Sequence, residues 1–291
     1  MVSFPLPARL AAVAGVDPER RDWVAALPAT VRELAERWAL TVGAPFQPGG
    51  EVSWVAPARD AAGRDLVLKV GWRHRETEHE AAGLLAWRDR GAVWLHDAHT
   101  DALNCCFLLE WARPGTSLAT SRPEPEQDRV VAALLRRIWH EPAPGHRFPS
   151  LAGMCAAWAD EFDEGYAAEP EALDPGLAAT GMQLYRGLAR EDGTAVLLAA
   201  DLHAGNVLAA RRAPWLMIDP KPHVGDPTYD VLQHLLNCRR RLTADPGGLA
   251  DRMAGLLDLD PARLRLWLFA RCVQECLQLP WLRPVAAALR P

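Results

Sequence analysis

Lysine is almost missing from this chain. Only two of its 32 basic residues are lysine, Lys69 and Lys221, and arginine supplies the rest. A compact ammonium on a flexible stem does what a planar guanidinium cannot, so the two surviving lysines mark either places where that shape matters or chance survivals. Long apolar runs are missing too. Each is broken by Arg, Asp or Pro well short of the roughly 18 residues that would cross a bilayer. Residues 1–10 hold no basic segment followed by a long apolar run, so no secretory signal is expected and the chain reads as cytoplasmic. There is no excess of positive charge. A formal net charge of -5 and a pI near 6.0 argue against nucleic acid or an anionic membrane as partner and mildly favour a cationic ligand. The six cysteines lack zinc-site spacing: Cys105 and Cys106 are adjacent, and Cys272 and Cys276 have no second Cys/His pair. They read as small buried apolar residues in a reducing compartment. Repeats and low-complexity tracts are also absent.

What is present fits a globular protein with 49% hydrophobic and 24% charged residues, long enough at 291 residues for two lobes. Residues 1–45 read as helical, with Val31, Leu34, Ala35 and Trp38 on one face. Pro48-Gly49-Gly50 is a turn, and strands are expected at 52–55, 66–70, 93–95 and 106–109, with a helix over 77–89 between them. Residues 110–116 break this pattern as a linker. Helices are expected over 128–140, 151–166, 175–190, 229–241, 247–257 and 261–279, with short apolar strands at 196–198 and 215–218. The expectation is an α+β chain: a small antiparallel-sheet lobe with one helix, residues 1–111, and a larger, mainly helical lobe, residues 112–291. Monomer and dimer are both compatible with this.

The densest polar cluster is Asp201-Leu202-His203-Ala204-Gly205-Asn206, between two apolar strands, with Asp219 just past the second. An acid, an amide five residues on and a second acid across a hairpin bring three oxygen-bearing side chains to one edge. Such oxygens suit Mg²⁺, which also takes oxygens from phosphates, and the remaining acid can accept a proton from an attacking hydroxyl. Asp and Asn also favour turns, which is the plain alternative for any one of them.

Asp201-x4-Asn206 followed by Asp219 resembles the catalytic and metal motifs of protein-kinase-like phosphotransferases. The stretches 66–72 (Leu-Val-Leu-Lys-Val-Gly-Trp), 113–118 (Arg-Pro-Gly-Thr-Ser-Leu), 201–210 and 214–230 resemble the aminoglycoside and hydroxyurea resistance kinases, particularly the streptomycin 6-phosphotransferases. The resemblance runs from about residue 20 to 280 and implies a bilobal protein-kinase-like fold. It implies Asp201 as the base for the acceptor hydroxyl, with Asn206 and Asp219 holding Mg²⁺ against the phosphates of ATP or GTP. Lys69, aligned by Glu80, would neutralise phosphate charge under the Gly49-Gly50 turn. Leu208 and Ile218 would floor the nucleobase, Glu110 and Ala112 would offer backbone groups at the hinge, and Asp230 would brace the catalytic loop. Lys221 is placed either on phosphate or at the surface. The implied acceptor is a small cationic hydroxylated molecule, an aminoglycoside such as streptomycin; hydroxyurea or another small metabolite is the alternative. In such kinases a carboxylate-lined cleft receives the drug, for which Asp160, Asp163, Glu164 and Glu275 are candidates; a solvated helix face is the other reading.

The chain departs from the family in one place. Where the family usually carries His two residues before the catalytic Asp, this chain has Ala199. Two rival readings follow from the same residues: a hydrolase metal cluster of Asp201, His203, Asp219 and His223, and a kinase fold that binds without turnover.

Overall fold

The computed structural model of the chain describes residues 4–190, 193 and 195–291. Two compact units are found: Met1–Gly115 with Ala210–Arg212, and Thr116–Ala209 with Ala213–Pro291.

The first unit opens with helices α1 (Ala8–Ala14) and α2 (Pro18–Arg37). Asp17 caps α2 by accepting from the N–H groups of Glu19 and Arg20. Ala39, at φ 49°, ends the helical run, and the Leu40 N–H turns back to the Ala35 carbonyl at 2.8 Å. The expected helical stretch to residue 45 is therefore corrected: β1 (Thr41–Val42) follows, paired with β2 (Ser53–Arg59). With β3 (Asp65–Trp72), β4 (Leu95–Thr100) and β5 (Asn104–Glu110) these form an antiparallel sheet ordered β1-β2-β3-β5-β4. Between β3 and β4 lies α3 (Glu80–Ala86), shorter than the expected 77–89. Upstream of it Thr77 accepts from the His74 N–H at 3.1 Å, and this local side-chain turn competes with the helix.

One face of the sheet is packed on the helices. Trp54, Ala56, Leu68, Val70 and Cys106 meet Trp23, Leu27, Val31 and Leu34 in a single cluster. Successive strand residues point to opposite faces, so burying Leu68 and Val70 there turns Lys69 to the other side.

The segment β6 (Pro114–Ser117) carries the chain into the second unit. Helices α4 (Leu118–Ser121), α5 (Glu124–Ile138), α6 (Leu151–Ala168) and α7 (Pro175–Leu188) follow. Then come β7 (Val196–Leu198), β8 (Val207–Ala210), β9 (Trp215–Met217) and β10 (His223–Gly225). Strand β10 pairs with β7, and β8 with β9, both antiparallel. The helix expected over 229–241 is instead a 3-10 turn (Pro227–Val231), α8 (Leu232–Asn237) and α9 (Arg239–Ala244), broken at Cys238, where φ -89° and ψ 45° leave the helical region. The chain ends in α10 (Pro246–Leu257), α11 (Pro261–Glu275) and α12 (Arg283–Leu289). Helix α11 stops four residues before the expected 279, where the N–H groups of Gln278 and Leu279 both turn back to the Glu275 carbonyl.

Tyr185, Trp267 and Phe269 anchor the core of this unit, with Tyr185 edge-on to Trp267. All six cysteines are buried thiols, and burial pushes Cys106, Cys155 and Cys238 up to about 12, which makes them unreactive. Among the described residues no helix is long and apolar enough to cross a membrane.

Candidate active site

In the first unit, the alternation along β3 delivers Lys69 to Glu80, the first residue of α3. The Lys69 Nζ stands 2.7 Å from each Glu80 oxygen, and the two residues are only 6% and 1% exposed. A pair buried this deeply is interdependent, because removing either partner strands the other charge in a low dielectric. Gly49 and Gly50 lie in the loop between β1 and β2. Gly49 adopts φ +76°, and a Cβ there would come 2.3 Å from the Pro7 Cβ, so conformation and space both select glycine.

Glu110 ends β5. Its N–H donates to the Trp94 carbonyl at 2.8 Å, and its carboxylate accepts from Trp94 N–H at 3.0 Å and from the Arg212 guanidinium at 2.8–2.9 Å. Arg212 also bonds the Ala92 carbonyl at 2.8 Å and stacks 4.3 Å from the Trp94 ring centre. The Glu110 N–H and carboxylate are both engaged within the first unit. Ala112, next along the chain but one, is buried.

In the second unit, buried β7 leads into Ala199, Ala200 and Asp201. Ala200 sits at φ 55°, an unusual region for a residue with a side chain. Asp230 holds this turn: one oxygen accepts from Ala200 N–H at 2.6 Å, the other from Ala199 N–H at 3.0 Å and Trp139 Nε1 at 2.9 Å. The loop therefore has a backbone anchor although Ala199 replaces the family's His.

A 3-10 turn (Ala204–Asn206) then brings Asn206 back on Asp201. The Asn206 amide nitrogen lies 3.1 Å from the Asp201 carbonyl and 3.4 Å from its Oδ2, so the amide oxygen is the atom it can offer a cation. The β8–β9 register, Val207 opposite Met217, places Asn206 beside Ile218, whose N–H donates to the Asn206 carbonyl at 2.9 Å. Asp219 follows at φ 55°. Asn206 and Asp219 thereby share one end of the hairpin, and an amide and a carboxylate oxygen there fit a hard divalent cation. Leu208 and Ile218 lie on the same hairpin face as Asn206, both partly exposed, while Val207 and Met217 are buried on the other. Lys221 reaches Asp201 directly, Nζ to Oδ2 at 3.0 Å.

The acids expected to receive the drug face arginines or solvent. Asp160 and Asp163 both accept from Arg186, at 2.7 and 2.6 Å, and Glu275 pairs with Arg271 at 2.6 Å. Glu164 stands exposed on α6. The hydrolase cluster is not assembled. His203 accepts from the Gly205 N–H through Nδ1, and burial holds its imidazole below its ordinary pKa; His223 Nδ1 bonds the Lys221 carbonyl. Among the described residues, only Asp128, His234 and Cys238 form a trio with ligand atoms within 4.8 Å of one another.

Asp230 also gives a pH prediction. Burial pushes its carboxyl up to about 6, against the three donors that pull it down. A carboxyl raised in the fold stabilises most below its ordinary value near 3.8 and loses that contribution as pH rises through about 6. Between pH 4 and 6 the wild-type unfolding free energy is expected to fall relative to Asp230→Asn, by up to about 1.4 kcal/mol per pH unit. Urea titrations of both proteins across that range check it; parallel pH curves would assign the slope to other groups.

Three features of the site were not anticipated from sequence: the Lys221–Asp201 contact, the Arg212 clamp on Glu110, and the arginines on the acids of α6 and α11. The only advance signal was the rarity of lysine.

Over residues 37–279 the chain matches the family described as aminoglycoside/hydroxyurea antibiotic resistance kinase. It is 33% identical to streptomycin 6-kinase of Streptomyces glaucescens, over 95% of this chain and 91% of the relative. It is 34% identical to hydroxyurea phosphotransferase of Kitasatospora aureofaciens, over 88% and 74%. Among solved structures, choline kinase from Streptococcus pneumoniae aligns with a TM-score of 0.61 at 14% identity, over 88% of this chain and 90% of that one. That last likeness shows a shared fold, the α+β protein-kinase-like phosphotransferase architecture.

Proposed function

This chain belongs to the aminoglycoside/hydroxyurea antibiotic resistance kinases, and on that footing we propose that it moves the γ-phosphate of ATP or GTP to a hydroxyl of an aminoglycoside such as streptomycin. The observation that carries the reading is the Asp201 loop, in which an acid is fixed beside Asn206 and Lys221 on a turn anchored by Asp230.

Asp201 acts as the general base, hydrogen-bonding the acceptor hydroxyl and taking its proton as the oxygen attacks phosphorus. The β–γ bridging bond breaks and its electron pair stays on the departing nucleoside diphosphate. Asn206, through its amide oxygen, and Asp219 would hold Mg²⁺, which supplies charge neutralisation on the phosphates when bound. Lys69, kept in place by Glu80, serves the nucleotide phosphates beneath the Gly49-Gly50 loop. Leu208 and Ile218 give the nucleobase an apolar surface, and the backbones of Glu110 and Ala112 bind its edge. Most of the rate enhancement is positioning and electrostatics. A relative 34% identical is named for hydroxyurea, which makes hydroxyurea the second acceptor to test.

The test is a coupled nucleotide-turnover assay with Mg-ATP and Mg-GTP against streptomycin, other aminoglycosides and hydroxyurea. Turnover that depends on streptomycin is expected. Nucleotide binding with no acceptor-dependent turnover anywhere in the panel would instead favour binding without catalysis.

A further inference from the structure

The two lysines of this chain are each ion-paired with an acid of the candidate site. Lys69 meets Glu80 at 2.7 Å, and Lys221 meets Asp201 at 3.0 Å. Arginine makes the surface pairs, such as Arg59–Asp65 and Arg64–Asp60. Lys221 is also fixed through its backbone. Its N–H donates to the Ala199 carbonyl at 2.8 Å, and its carbonyl accepts from His223 Nδ1 at 2.9 Å. The first bond ties the segment after Asp219 to the stretch that leads into Asp201. The side chain is 31% exposed, so its ammonium is neither sealed in the core nor out in solvent.

We propose that Lys221 is a catalytic residue, whose ammonium contacts the transferring phosphoryl group while Asp201 takes the acceptor's proton. The inference rests on the phosphotransfer reading above. A hydroxyl hydrogen-bonded to Asp201 places its oxygen about 2.7 Å from that carboxylate. If that hydroxyl shares Oδ2 with the Lys221 Nζ at 3.0 Å, the ammonium stands at most about 5.7 Å from the attacking oxygen, within reach of oxygens on the phosphorus it attacks. Without a cation there, the Asp201 carboxylate and the anionic phosphoryl group would repel each other as they close. In the step, the acceptor oxygen forms the new P–O bond with its lone pair and its proton passes to Asp201. The electron pair of the broken β–γ bridge leaves with the diphosphate. Lys221 exchanges no proton; its charge offsets the negative charge spread over the equatorial oxygens. An ammonium can turn its donors to follow those oxygens, whereas a guanidinium presents a rigid plane. Lys69 bears on the bound nucleotide before transfer, and Lys221 on the transfer itself. The two are therefore separable as affinity and rate.

The experiment compares wild type with Lys221→Met, Lys221→Gln and Lys221→Arg, reading kcat and KM for streptomycin, the dissociation constant for Mg-ATP, and the melting temperature. The Met and Gln variants are expected to lose about 10²–10³-fold in kcat, with nucleotide affinity within about threefold of wild type. Arg is expected to recover no more than about a tenth of the wild-type rate. Near wild-type kcat in the Gln variant would show that a neutral hydrogen bond to Asp201 is sufficient, and would overturn the proposal. So would a Met variant within about threefold of wild type, or a loss of nucleotide affinity that matches the loss of kcat. Wild-type turnover with an unaffected Met variant sinks this inference alone, whereas a wild type silent with every acceptor sinks the phosphotransfer reading and this inference with it.

Discussion

Replacing Asp201 by Asn is expected to lower acceptor-dependent kcat by about 10³–10⁴-fold while leaving the Mg-ATP dissociation constant within about threefold. Asn has the shape of Asp and keeps one oxygen, so the contacts from Lys221 at 3.0 Å and Asn206 at 3.4 Å can persist and the loop need not move. What is lost is the basic atom. Asp201 is 13% exposed in its side chain, enough for an acceptor hydroxyl to reach it. The proposed function assigns Asp201 to the acceptor hydroxyl and the nucleotide phosphates to other residues. Rate and affinity therefore separate. Steady-state kinetics with streptomycin and a direct nucleotide titration measure both; a variant with wild-type kcat would remove Asp201 from the base role, and a matching loss of nucleotide affinity would move it to the phosphate site.

The parts of this molecule that were legible in its sequence are those in which a short segment carries its own pattern. Leu-Val-Leu-Lys-Val reads as a buried strand because four apolar residues surround the lysine, and the structure pairs it on both sides, with β2 and β5. Asp201, Asn206 and Asp219 stand out because one turn and one hairpin bring them together. Tertiary choices were not legible. β1 exists because Thr41 and Val42 pair with Arg59 and Ala58, a partnership nothing within residues 1–45 announces. The break at Cys238 interrupts an apolar periodicity that would have continued as helix. Arg212 and Glu110 are 102 residues apart, and no local spacing could join them. The acids of α6 and α11 look alike as solvated faces or as a ligand cleft until their arginines, 23–26 residues away on α7 or one turn along α11, are in view.

The same distance effect hides a buried charge cluster in the second unit, where Asp128→Ala is expected to lower unfolding free energy by about 3–5 kcal/mol. Asp128 lies on α5 with no exposed surface. Burial alone would raise its carboxyl, but bonds from His234, Arg241 and Arg252 override this and hold it well below the usual carboxylate range. His234 Nε2 and Arg241 Nη1 stand 3.0 Å from one oxygen, with Arg241 Nη2 at 2.8 Å and Arg252 Nε at 2.6 Å from the other. One residue thus ties α5 to α8, α9 and α10, with partners 106 to 124 residues away. Cys238 completes a trio with metal-ligand spacing. Both carboxylate oxygens already face guanidinium groups, however, and a divalent cation would add its charge beside theirs, so an ion network is the favoured reading. Truncation leaves the buried imidazole without its acceptor and two arginines that must turn towards water. Their side chains are 21% and 35% exposed, which limits the loss to the lower end of that range if they relax. For a unit of this size the melting temperature should fall by roughly 10 °C. Because the carboxyl is depressed in the fold, its contribution is complete above the ordinary value near 3.8 and is lost as pH falls towards the folded value. The gap between wild type and variant at pH 7 should therefore narrow at pH 3. Denaturant unfolding at both pH values decides it: a gap under about 1 kcal/mol at pH 7 would mean the arginines are solvated at no cost and the helices are held by apolar packing instead.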